Sequence, residues 1–171
     1  MVTMKRVTDF SILHKSLIET FEEVKNAVQK TESRSRSGLM LGLQEIGASL
    51  DGFIGAYYPV ASNIIIVNKT PLRRILETDR SLLKPYIFHV LLHEYIHSLG
   101  YLDEETTGKK TYEISRKQFG EHHIITELST NIRKYFPSLV YPVHGWIPQT
   151  EVPRIELVKG FDFSNTNPYI T

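Results

Sequence analysis

The sequence predicts an α+β fold, with a small mixed sheet packed on an N-terminal helix and on a buried central helix. C-terminal helices and an irregular tail complete it. Three patterns carry this expectation. Residues 9–31 place Phe10, Leu13, Leu17, Phe21, Val24 and Val28 at steps of three and four, the period of an amphipathic helix. Residues 39–67 contain short strand-like runs, of which Ile64-Ile65-Ile66-Val67 is β-branched throughout. Residues 81–99 carry Ile87, Phe88, Val90, Leu91, Leu92, Ile96 and Leu99, apolar nearly all round, which marks a buried helix.

The first helix has Asp9 as its N-cap and is expected to cover a sheet. Ser33-Arg34-Ser35-Arg36-Ser37-Gly38 reads as a solvated loop, since two arginines are a weak phosphate footprint. Strands are expected at 39–46, 53–58 and 63–67. The last two form a hairpin across Pro59-Val60-Ala61-Ser62. A short helix at 71–76 precedes the central one. Asp79 and Ser81 offer caps, Pro85 falls in the first turn, and Gly100 ends the helix. A helix at 103–119 begins at Asp103 and breaks at Gly120, and another at 121–136 stops at Pro137. Beyond it Pro142, Pro148, Pro153 and Pro168 punctuate a tail that holds the only tryptophan, Trp146, and one short strand at 154–158. The reading is a domain at 1–136 and an extension at 137–171. The extension carries too many aromatics for a disordered segment, so it should pack on the domain or on a partner.

The chain has 171 residues, enough to bury a core without staples. It has no cysteine, which excludes disulfides, thiolate metal sites and cysteine nucleophiles. Any transition metal must therefore be held by His, Asp or Glu. The formal net charge of +1 gives no electrostatic case for nucleic acid. The longest apolar run, residues 64–67, is far below a membrane span, and residues 1–9 lack a signal-peptide core. The expectation is a cytoplasmic protein with no membrane partner.

Chemistry concentrates in His93-Glu94-Tyr95-Ile96-His97. A spacing of four puts both imidazoles on one helix face, one turn apart, where they can grip one ion. Glu94 lies about 100° around the helix, beside that ion rather than under it. A carboxylate there can take a proton from an activated water and pass it to a leaving group. Burying two histidines and a glutamate in an apolar helix is costly unless they are used. The bland account is two core histidines satisfied by hydrogen bonds. His89 makes a third histidine at the same interval, but His89 and His97 are about 12 Å apart along the axis, too far for one ion. It reads as a supporting or core residue.

These residues resemble the H-E-x-x-H zincin metallopeptidases, and the likeness extends to Gly100 and Asp103. His93 to Asp103 is similar to the H-E-x-x-H-x-x-G-x-x-H/D signature of metzincin-like enzymes, with aspartate last as in snapalysin-type proteases. The methionines are Met1, Met4 and Met40, so no Met-turn follows the motif. The resemblance implies a zincin-like fold, one Zn2+, His93 and His97 as ligands, Glu94 as general base and acid, and a peptide or protein substrate. It also implies a strand at the cleft edge, for which residues 63–68 are the candidate. Asp103 ranks first as third ligand, because Gly100 lets the chain turn sharply back. The plain alternative for Asp103 is an N-cap. His123 ranks second, and Glu121 and Glu127 third, as in the gluzincin plan. Tyr101, Tyr112, Tyr135 and Tyr141 are unranked candidates for stabilising an oxyanion.

Two other functions compete with a zinc metallopeptidase. A bacterial ribosome-maturation endoribonuclease family has a similar register, H-x-x-x-H-x-x-x-x-x-H. Glu94 and the near-zero net charge argue against a metal-dependent RNA-processing hydrolase. The third reading is a latent or non-catalytic zinc module whose tail plugs the cleft, with His144 in reach of the metal.

Overall fold

A computed structural model describes residues 2–142, 146–148 and 154–160. Helix α1 spans Val2–Glu32, and strand β1 spans Met40–Gln44. β2 (Phe53–Ile54) and β3 (Ala56–Tyr57) flank Gly55, and β4 is Ile64–Asn68. Helices α2 (Lys69–Thr78), α3 (Leu83–Ser98), α4 (Glu104–Phe119) and α5 (Ile124–Asn131) follow. Short strands β5 (Leu139–Val140) and β6 (Glu156–Leu157) come last. The fold is α+β with a small mixed sheet. Among the described residues no helix is long and apolar enough to cross a membrane.

The four-stranded sheet runs β3-β4-β1-β6. β1 and β4 are parallel, with Leu41 opposite Ile65 and Leu43 opposite Val67. β3 turns back antiparallel on β4, pairing Ala56 with Val67. Residues 63–68, expected at the cleft edge, are therefore interior, because β1 takes one side of β4 and β3 the other. The edge beside α3 belongs to β2 and β3. Asn68, fully buried, ties the two layers by donating to the carbonyls of Ile54 and Gly47. Gly55 lets the strand pass close to α3, since a Cβ there would meet the Tyr86 hydroxyl at 2.9 Å.

Every residue of α3 from Tyr86 to Ser98 is buried. A helix apolar on all sides needs cover on all sides, and that decides where α1 goes. Leu17, Phe21, Val24 and Val28 are fully buried, and α1 packs closely on α3 and α4. The edge-on contact of Phe21 with Tyr95 is one junction of that packing.

The loop after α1 is largely exposed, as its composition suggests, but its two arginines are engaged. Arg36 donates to the carbonyls of Ser98 and Ser62 and to the Tyr58 hydroxyl. Arg34 donates to the Leu99 carbonyl and the Tyr101 hydroxyl. The last carbonyls of a helix lack intrahelical partners and carry partial negative charge, so two guanidinium groups suit them.

Candidate metal centre

α3 delivers His93 and His97 from successive turns, and the chain then reverses at Gly100, where φ is 104°. Asp103 and Glu104 follow at the start of α4, and the structure gives them different work. The Asp103 carboxylate accepts from the Thr106 N–H at 2.7 Å and caps the helix. Glu104, in the first helical turn, carries its carboxylate to the histidines. Its two oxygens lie 2.9 Å from His93 Nε2 and 2.9 Å from His97 Nε2. The third member of the group is thus Glu104, not Asp103. A capping carboxylate is already committed to backbone N–H groups, and the next residue is the one free to face back.

The two Nε2 atoms are 3.2 Å apart. Two nitrogens bound tetrahedrally to one zinc at about 2.05 Å would be about 3.3 Å apart. His97 Nδ1–H donates to the Tyr101 carbonyl at 2.7 Å, which turns the Nε2 lone pair toward the group. Thr107 Oγ1 donates to the same carbonyl. His93, His97 and Glu104 can therefore hold a metal ion. His93 and His97 are buried, while the Glu104 side chain is 39% exposed, so the group opens to solvent on that side.

The charges agree with a cation site. Burial works to raise the Glu104 pKa, but hydrogen bonds from His93 and His97 outweigh it and hold the carboxyl at about 2. Burial works to lower His97, yet Glu104 and Glu94 raise it. In His93 burial prevails and the pKa falls. Without a metal, protons bridge these groups, and an ion would replace them.

Glu94 is buried beside this group. Burial pushes its carboxyl up to about 8, opposed by His97 and by the backbone N–H of Tyr58, which donates to it. Tyr58 is in turn fixed by Arg36. Glu94 and His93 line a cavity with Gly55, Ala56, Val90, Leu139, Val140 and Tyr141.

Tyr141 is the tyrosine at the centre. Its ring stacks on His93, with centroids 4.5 Å apart and planes at 17°, and its hydroxyl is 2.5 Å from His89 Nε2. Burial raises its pKa. Tyr101 contributes its carbonyl to His97, Tyr112 lies under Arg116, and Tyr135 donates to Glu127.

The other ligand candidates are elsewhere. His123 caps α5 by accepting from the Ile125 N–H and stacks on Phe119. Glu127 pairs with Lys134, and Glu121 is exposed before α5. His144 lies outside the described residues.

His89 supports the site rather than joining it. Burial pushes its pKa down to about 3, and His93 adds to that. The unfolded value is about 6.5. Between about pH 6.5 and 3 the unfolded chain binds more protons, so stability falls as pH falls through that window. In the metal-free chain, His89→Gln is expected to flatten the decline of Tm across it. A scan of Tm against pH with chelator present checks this, and an unchanged slope would exclude His89 as its source. No family model, curated protein or solved structure matches the chain, so the chemistry of this centre rests on its own geometry.

Proposed function

We propose that the chain is a small zincin-type metallopeptidase that holds one Zn2+ on His93, His97 and Glu104 and uses Glu94 as general base and acid. One observation carries the reading: a buried glutamate stands beside a His-His-Glu group. Structural zinc sites are closed by four protein ligands, whereas catalytic sites use three and leave a position open. When bound, the ion supplies Lewis acidity toward a carbonyl and toward a water. Glu94 takes the water's proton and returns it to the leaving amine. The Tyr58 N–H holds one side of that carboxylate, which orients it.

Substrate would lie extended along the β2–β3 edge, which passes over α3 beside Glu94. Main-chain pairing at a sheet edge recognises an extended peptide regardless of most side chains. The formal net charge of +1 and the third ligand of glutamate type weigh against an RNA substrate.

The zinc-loaded chain is expected to cleave casein, to stop when chelator is added, and to resume when zinc is restored. Structured RNA should stay intact under the same conditions. RNA cleavage with intact casein would overturn the proposal in favour of the nuclease reading.

A further inference from the structure

The edge that a substrate would use is partly taken. β5 lies parallel to β2, with Phe53 opposite Leu139 and Ile54 opposite Val140, and the Phe53 N–H donates to the Ser138 carbonyl at 2.8 Å. The chain then runs on to Tyr141, whose ring lies flat on His93. Further along, Trp146 meets Tyr57 of β3 edge to face at 5.1 Å. Residues 139–141 therefore follow the strand beside the metal centre and roof over Glu94. The cavity left between them is about 10 Å³. Such a space admits about one water molecule and no peptide carbonyl. Glu94 is 4% exposed, so nothing larger reaches it in this arrangement.

The backbone pairing that holds this roof is short, although Leu139 and Tyr141 pack inward. β5 has two residues, against five in each strand of the β1–β4 pair, and Val140 is exposed. A two-residue pairing at a sheet margin opens locally far more readily than a core pair. An extended peptide offers the same backbone groups and can replace it.

Resting on the peptidase reading, we infer that the β2–β3 edge is a strand-addition site. The chain's own residues 139–141 occupy it, and an extended peptide displaces them to reach Glu94 beside the metal centre. The chain then holds itself closed until substrate competes for the edge.

The chain has no cysteine, so a pair introduced at facing positions forms a single defined crosslink. Ile54→Cys with Val140→Cys joins β2 to β5 across their register. Cleavage of a cysteine-free fluorogenic peptide is expected to fall at least tenfold on oxidation and to return with reductant. Equal rates in both states, with the crosslink complete by mass, overturn the inference and leave the peptidase reading standing. Trp146→Ala, which loosens the segment away from the metal ligands, should raise the rate.

Amide hydrogen exchange tests the same idea without any activity. The Phe53 amide should exchange on the order of 100-fold faster than the slowest β1–β4 amides, because it opens locally. Protection of Phe53 equal to that of the β1–β4 amides overturns the inference. A chain that cleaves nothing in either redox state, with Trp146→Ala or without, but whose Phe53 exchanges fast, loses the peptidase reading and keeps the displaceable segment.

Discussion

Glu94→Gln is expected to keep its metal at full stoichiometry and to lose about 10²–10⁴-fold of the metal-dependent peptide cleavage, the range for a lost general base. The change keeps shape and hydrogen-bonding capacity but cannot accept a proton. Glu94 is not among the three converging donors, so the ion should be unaffected. Folding should not suffer either. The Glu94 carboxyl, raised to about 8 by burial, binds its proton more tightly in the folded chain than in the unfolded one. It therefore favours folding below its unfolded pKa, and that contribution is lost as pH rises through about 8. A neutral amide keeps the protonated form's shape at every pH. Positive charge beside Glu94 favours the carboxylate, so metal loading turns a protonated acid into a base. Metal content, Tm and cleavage rate measured on one preparation decide the matter. Equal cleavage by Glu94→Gln and the parent would remove Glu94 from the mechanism and take the peptidase reading with it.

The second large effect separates two neighbouring acids. Glu104→Ala should weaken zinc binding by more than the 10–100-fold typical of a lost outer partner, because a donor atom itself is removed. Asp103→Ala should retain zinc and lose only the modest stability that an N-cap contributes. Zinc titration in competition with a chromophoric chelator gives both affinities. Zinc loss on Asp103→Ala, with retention on Glu104→Ala, would reverse the assignment.

Much of this was legible in sequence because it depends on period and punctuation. The α1 stripe, the apolar α3, the β3–β4 hairpin and the Asp103 start of α4 are local patterns. His93 and His97 converge because helix geometry alone brings them together. What stayed hidden depends on tertiary placement. Whether residues 63–68 are edge or interior turns on which strands flank them, and strand-like runs do not say. Asp103 and Glu104 look equally suited to a metal until one sees which carboxylate the helix end consumes. The contacts of Arg34 and Arg36 with the end of α3 stayed hidden because those carbonyls lie about sixty residues away in sequence. The position of Tyr141 on His93 follows from a two-residue strand that no periodicity could reveal.

The arginine loop after α1 has a consequence for how separable this centre is. Arg36 reaches the end of α3 and the residue whose N–H holds Glu94, while Arg34 reaches the turn that leads to Glu104. The end of α3 and the turn that leads from His97 to Glu104 are thus braced from one short stretch far upstream. The five-residue motif is not a portable cassette. Grafted with its own helix onto a foreign scaffold, it would bring two imidazoles without the brace that sets the others. The proposed centre therefore draws on the N-terminal third of the chain as well as on its own helix.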